Sequence, residues 1–144
     1  MIVWIHGDDQ TVNAPSIHAA KAYVQDYVAN YDYSYKYSTS EKRAGTWIDG
    51  KPIYKMTINF GTLPNNNTKT VNHNIANIDN IVGIEGLAVG ANNSLPLPFI
   101  FLNNYAYSIQ MYVSKTYVSI QTGNDRTGHT GYVTISYTKT TDTV

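Results

Sequence analysis

The side chains of this sequence that are best suited to ligand binding lie in three Asn-containing segments. One pair is Asn92 and Asn93, a second segment joins Asn103 and Asn104 to two tyrosines, and the third spans residues 124–126. A tyrosine ring stacks on the apolar face of a sugar, while Asn, Asp and Arg side chains hydrogen bond to its hydroxyl groups. The candidate binding residues are Asn92, Asn93, Asn104, Tyr105, Tyr107, Asn124, Asp125 and Arg126. The same residue types also serve tight turns for backbone reasons alone, so both interpretations stay open.

The histidines and carboxylates do not form a pattern that predicts catalysis. The four histidines, His6, His18, His73 and His129, fall in separate segments. A glycosidase needs two carboxylates about 5–10 Å apart, yet Asp79 and Glu85 are the only acids between Asp49 and Asp125. The sequence contains no nucleophile elbow, phosphate-binding loop or metal-ligand cluster. We therefore expect no enzyme, no metal and no other cofactor.

Composition excludes several further classes of function. The chain has 144 residues and no Cys, which excludes disulfides, thiolate zinc sites and cysteine nucleophiles. Ten basic and ten acidic residues balance without a basic cluster, so we expect no nucleic-acid partner. No apolar run approaches the ~18 residues of a membrane span, and residues 1–4 lack the basic start of a signal peptide. Asn, Thr and Tyr are abundant and only 14% of residues are charged, a balance typical of β-structure with polar loops.

Residues 13–31 form the one segment with a helical pattern. Asn13 or Ser16 can cap this helix. Pro15 lies at its start, where the missing backbone N–H of proline removes no helical hydrogen bond. Its apolar positions are spaced 3-4-3-4, as in a coiled-coil seam, and are Ile17, Ala20, Val24, Tyr27 and Tyr31. A seam of about two heptads is marginal alone in water. The helix either meets the helices of other subunits on a symmetry axis or packs on its own domain.

The rest of the chain predicts short antiparallel strands. Residues 47–54 show a hairpin signal around Asp49 and Gly50, and the following residues alternate apolar and polar side chains up to Phe60. Seven or eight short strands with intervening turns predict an antiparallel β-sandwich that is jelly-roll-like. We expect two modules, residues 1–37 with an attachment segment and the helix, and residues 38–144 with the sandwich. Residues 38–45 are expected to be a polar linker, and Gly83 and Gly86 to mark bulges or close backbone approach.

Five segments of the second module resemble the C-terminal module of bacteriophage tail fibres and related virion fibre proteins. They are YSTSE at 37–41, GTWIDGKPIY at 45–54, LPN at 63–65, KTVNHNI at 69–75 and TGYVTISYTKTTD at 130–142. Together with the residues between them they cover about 105 of the 144 residues. Each segment alone is a weak signal, whereas the combination is specific.

The resemblance implies a fibre protein of the phage particle, assembled in the bacterial cytoplasm as a homotrimer whose β-domain binds the host surface. The ligand is expected to be a bacterial surface glycan or a surface protein. Residues 1–12 are expected to dock on other virion proteins, with no membrane insertion. The alternative is a capsid head fibre or decoration protein docked through residues 1–12 with no specific receptor. The resemblance further implies that Trp47 and Tyr54 are packing anchors and that His73 makes a structural hydrogen bond.

Overall fold

The structure, a computed structural model, describes residues 37–144, which contain eight β-strands. The strands are β1 (Lys42–Thr46), β2 (Pro52–Thr62), β3 (Thr68–Asn72), β4 (Ile78–Gly90), β5 (Ser94–Leu97), β6 (Ile109–Val113), β7 (Tyr117–Thr122) and β8 (His129–Lys139). One turn of 3-10 helix, Tyr105–Tyr107, precedes β6. The predicted helix at 13–31, its seam residues and the segment 1–12 lie outside the described residues. Between residues 37 and 144, no helix has the length and hydropathy to cross a membrane.

The strands form two sheets in which every neighbouring pair is antiparallel. A five-stranded sheet has the order β1-β2-β8-β4-β5, and a three-stranded sheet has the order β3-β7-β6. The chain passes between the sheets after β2, β3, β5 and β7. The prediction of a mainly β, antiparallel domain with seven or eight strands is therefore confirmed.

Alternating side chains build the core between the sheets. Along β8, Val133, Ile135 and Tyr137 face inward and are fully buried. Val118 and Ile120 of β7 meet them from the three-stranded sheet and are also fully buried. Each inward apolar side chain stabilises the fold by about 1.5–3 kcal/mol relative to exposure.

The β1–β2 hairpin exists, but its arms are displaced from the predicted positions. Trp47 and Ile48 belong to the connection rather than to a strand: Trp47 N donates to Lys51 O at 2.8 Å, and Gly50 N donates to Trp47 O at 2.9 Å. The first arm is instead Lys42–Thr46, so the prediction of a polar linker at 38–45 is wrong. All five β1 residues are exposed, which explains why no burial pattern marked this strand. Tyr54 does pack as predicted, with its ring stacked 6.1 Å from that of Tyr137.

Both glycines that were expected to mark irregularities in β4 do so. The ladder between β4 and β8 shifts register between Ile81 and Gly83. A Cβ atom on Gly86 would lie 2.6 Å from the Leu97 Cβ atom and 2.9 Å from the Met111 Cε atom. Gly86 therefore allows the two sheets and β5 to approach one another closely.

The strand registers place four connections at one end of the sandwich, here called the loop end. Gly90 pairs with His129, Thr68 with Gln121 and Ile109 with Thr122, so these strand termini lie together. The loop end holds the connections 63–67, 91–93, 98–108 and 123–128. The opposite end holds the connections 47–51, 73–77 and 114–116.

Candidate binding site at the loop end

All eight candidate binding residues lie in connections at the loop end, although they are spread over residues 92–126 of the sequence. Asn92 and Asn93 are in the β4–β5 turn. Asn104, Tyr105 and Tyr107 are in the β5–β6 connection, and residues 124–126 are in the β7–β8 connection. The fold thus gathers three segments that the sequence could only propose separately.

The β5–β6 connection presents one of its tyrosine rings to solvent. Asn104 caps the 3-10 turn, since its Oδ1 accepts from Ala106 N at 3.1 Å. The Asn104 carbonyl also accepts from Tyr107 N at 3.0 Å, which closes the turn. Tyr107 packs edge-on against Phe101, with ring centroids 5.7 Å apart. Tyr105 carries the most exposed of these rings, at 70%, and is therefore the residue of this connection best placed to touch a ligand.

Arg126 joins two connections to each other. Its Nη2 donates to the carbonyl oxygen of Tyr107, and its guanidinium carbon lies 5.8 Å from the centroid of the Phe99 ring. Its backbone N donates to Pro64 O at 3.2 Å. These contacts assign Arg126 a structural role in holding the loop end together.

The other polar residues of the β7–β8 connection also serve local structure. Asp125 Oδ1 accepts from Thr127 N at 2.9 Å and from Thr127 Oγ1 at 2.6 Å. These two bonds hold the pKa of Asp125 below its usual value. The Asn124 carbonyl accepts from Asn66 N at 2.8 Å, while its side-chain Oδ1 is buried without a partner among residues 37–144.

The β4–β5 turn is likewise closed by its own residues. Asn93 O accepts from Gly90 N at 2.8 Å, and Asn93 Oδ1 lies 2.7 Å from His129 Nε2. Asn92 is exposed at the tip of the turn. Asn93 is thus held by the fold, whereas Asn92 shows no contact that fixes its side chain in the described part of the chain.

A cleft of about 590 Å³ opens between the β5–β6 connection and β6, the edge strand of the three-stranded sheet. Tyr105 lines it together with three residues that carry amide side chains, Asn66, Gln110 and Gln121. Gln110 and Gln121 are direct cross-strand partners, which places their Cβ atoms about 4.5–5.5 Å apart. Among residues 37–144, no charged residue lines this cleft. Its chemistry is therefore one exposed phenol ring beside several amides.

Sequence reasoning found Tyr105 but missed the amides. Gln110 and Gln121 are polar residues of strands that alternate polar and apolar side chains, and this alternation alone predicts only a solvent-exposed face. The turn at 114–116 is the feature of the sequence that predicts their pairing. Because β6 and β7 form a hairpin about this turn, residues equally far from its centre pair with each other, and Gln110 meets Gln121.

The acidic residues of the described part and His73 either make structural contacts or lie apart from one another. Glu41 accepts from Tyr137 Oη and from Lys139 Nζ, both at 2.6 Å. Burial raises the pKa of Glu41, but these two bonds outweigh burial and the pKa lies below its usual value. His73 lies 3.0 Å from the Ser114 carbonyl through Nε2 and accepts from Ile75 N through Nδ1, which confirms its structural role. Within the described range, no three His, Cys, Asp or Glu side chains are grouped so that they could hold a metal.

Comparison of the chain with protein-family models, with curated proteins and with solved structures found no match. The function must therefore be argued from the residues, the motifs and the geometry.

Proposed function

We propose that this protein is a structural virion fibre of a bacteriophage whose β-domain binds a host-surface glycan in the Tyr105 cleft. The observation that carries the proposal is the cleft itself, where one exposed ring lies beside cross-strand paired Gln residues and no charged residue of the described part lines the site. The motifs at 37–54 and 130–142 support the assignment to virion fibres.

The lining suits a neutral sugar. The Tyr105 ring offers a flat apolar face against which the C–H groups of a pyranose pack. The Gln110 and Gln121 amides each present a donor and an acceptor, so together they can bond to neighbouring hydroxyl groups. A volume of about 590 Å³ is within the usual range of small-molecule sites.

The loop end is held in place before any ligand arrives. Asn66 N donates to Asn124 O, Thr122 N donates to Asn67 O, and Arg126 reaches the Tyr107 carbonyl. These bonds tie the β2–β3, β5–β6 and β7–β8 connections together. A preformed site loses less conformational entropy on binding and so keeps more of its contact energy.

The remaining assembly is part of the same proposal. The domain is of jelly-roll-like type, an assignment supported by the position of β8 between β2 and β4 and of β7 beside β3. Three chains join through Ile17, Ala20, Val24, Tyr27 and Tyr31, and residues 1–12 dock on other virion proteins. The alternative is a head fibre or decoration protein with no receptor.

Competition for phage attachment tests the proposed function. Soluble full-length protein is expected to adsorb to host cells and to block attachment of the phage. Tyr105→Ala is expected to weaken this competition roughly tenfold, because it removes the stacking surface, while thermal stability stays unchanged. Tyr112→Ala is the matched control, since Tyr112 is an exposed tyrosine of the three-stranded sheet that does not line the cleft. Equal competition by both variants would refute the cleft as the site, and absence of adsorption by the wild-type protein would favour the decoration alternative.

A further inference from the structure

The outer edge of β6 is paired at one end only. On one side β6 pairs with β7, whereas on the other side the described residues provide a partner only for Ile109. Phe99 N donates to Ile109 O at 3.1 Å, and Ile109 N donates to Phe99 O at 2.8 Å. Just before Phe99 the chain lies in the other sheet, where Leu97 pairs with Gly86. Pairing along this edge therefore stops after a single residue.

The register shows which backbone groups of β6 remain without a partner. In an antiparallel ladder, successive residues direct their N–H and C=O groups to opposite sides of the strand. Ile109 directs these groups away from β7, so Met111 and Val113 do the same. Ser114 N donates to Tyr117 O at 2.9 Å, which gives the same alternation from the other end of β6. Within the described part of the chain, no residue pairs with Met111 or Val113 on this edge.

The other strand edges carry features that prevent pairing with a further strand. β5 contains Pro96, which has no N–H to donate, and β1 contains Lys42 and a bulge. In β3, Lys69 directs its charged Nζ toward the other sheet and donates to Phe60 O at 3.1 Å. The part of β4 beyond β5 contains two register shifts. Prolines, bulges and charges on an edge or pointing inward are the usual protection against strand addition.

β6 has none of these protective features. Its sequence, IQMYV, contains no proline and no charge, and its ladder with β7 runs without a register shift. From Gly86 to Ser114 the sequence contains no charged residue. The β-branched and aromatic residues of β6 also favour an extended backbone. Among the described strands, β6 therefore has the edge that is open to pairing.

We propose that this free edge, residues 111–113, binds an extended segment of a partner protein as an added antiparallel strand. The segment continues the pairing that Phe99 begins and bonds to the backbone N–H and C=O groups of Met111 and Val113. These two sets of groups are about 7 Å apart along the strand. An extended polypeptide repeats its own N–H and C=O groups at the same spacing, so its backbone matches the edge. In such complexes the backbone bonds supply affinity, and alternate side chains supply specificity.

The side chains that flank the edge define the chemistry of the segment. Directly opposed residues of an antiparallel pair point to the same face of the sheet. Residues of the segment opposite Met111 and Val113 therefore face inward, beside the apolar side of the cleft, where Ile100 is 60% exposed. Gln110 and Tyr112 are exposed on the outer face. We therefore expect apolar side chains at the inward positions of the segment and polar or aromatic side chains at its outward positions.

A flexible segment suits this edge better than a second copy of the domain. A copy has only its own β6 to offer, because its other edges are protected against pairing. Two such edges would share three residues, or about 10 Å of strand. Folded proteins that form a stable pair bury about 800 Å² each, which is far more than this contact supplies. A flexible segment adds contacts by following the strand into the adjoining cleft.

Titration of isotope-labelled full-length protein with a designed peptide tests the proposal. The probe is a short capped peptide that alternates threonine and valine between two terminal lysines. The backbone amide signals of Met111 and Val113 are expected to shift at millimolar peptide, while that of Thr70 in β3 stays in place. The apolar valines face inward, and inward residues are those whose N–H groups bond to β6. N-methylation of the valines is therefore expected to reduce the shifts at least fivefold, whereas N-methylation of the threonines leaves them unchanged.

Val113→Pro is the matching variant of the protein. It removes an edge-facing N–H but no bond to β7, and proline is tolerated at such edge positions. We expect peptide binding at least fivefold weaker than in the wild-type protein, with circular dichroism checking the fold. The two methylated peptides decide the question even where this variant fails to fold.

Three results would overturn the proposal. The first is the absence of shifts at Met111 and Val113, and the second is equal binding of the valine-methylated and unmodified peptides. The third is a fall in the mass measured by light scattering when Val113→Pro replaces the wild-type protein, because the edge would then hold a second copy of the chain. None of these readouts depends on the glycan, so they leave the proposed function to its own test.

Discussion

At the scale of single residues, the loop end contains two kinds of side chain. Some make contacts that hold its connections together, and others are exposed and can contact a ligand. Asn93, Asn104, Asp125 and Arg126 bond to their own connections or to neighbouring ones. Tyr105 is exposed beside the cleft amides. Contacts within the loop end therefore account for four of the eight sequence-predicted binding residues without any ligand.

Arg126 provides a direct test of this division. Arg126→Ala is expected to lower the free energy of unfolding by about 1–3 kcal/mol, because the Tyr107 carbonyl loses a charged donor and Phe99 loses a cation. Urea denaturation measures the change. Asn92→Ala is the control, with an expected change within about 0.5 kcal/mol at an exposed tip. Unchanged stability together with lost glycan binding would make Arg126 a ligand contact instead.

At the scale of elements, alternation predicted the strands that bury one face. Alternating apolar residues over 108–113, 117–122 and 131–138 predict β6, β7 and β8 to within about two residues, because the inward positions of these strands are apolar. β1 was missed because all five of its residues are exposed. The cleft amides were missed for a different reason, since their proximity depends on the β6–β7 register and not on either strand alone.

Close approach at Gly86 is a second property of an element that can be tested. Gly86→Ala is expected to destabilise the fold by about 1–3 kcal/mol, because its Cβ would overlap Leu97 and Met111. Urea denaturation is again the measurement. Gly128→Ala is the matched control, since a Cβ atom there meets nothing within 4 Å. Equal stability of the two variants would show that β4 and β5 can separate at little cost.

At the scale of the whole molecule, the two outer surfaces of the described domain differ in character. The Tyr105 cleft lies at the edge of the three-stranded sheet, whereas the exposed side chains of Leu87 and Val89 lie on the outer face of the five-stranded sheet. The proposed homotrimer would carry three such clefts. Three clefts would bind a repeating polysaccharide more tightly than one, since later contacts form at high effective concentration.

Titration of isotope-labelled full-length protein with cell-wall polysaccharide fragments from the host tests the central claim most directly. The side-chain amide signals of Gln110 and Gln121 are expected to shift on binding, because these groups line the cleft beside Tyr105. Backbone signals of Leu87 and Val89 on the opposite sheet are expected to remain in place. Shifts confined to that opposite sheet, or no shifts at saturating fragment concentration, would contradict a glycan site in the Tyr105 cleft.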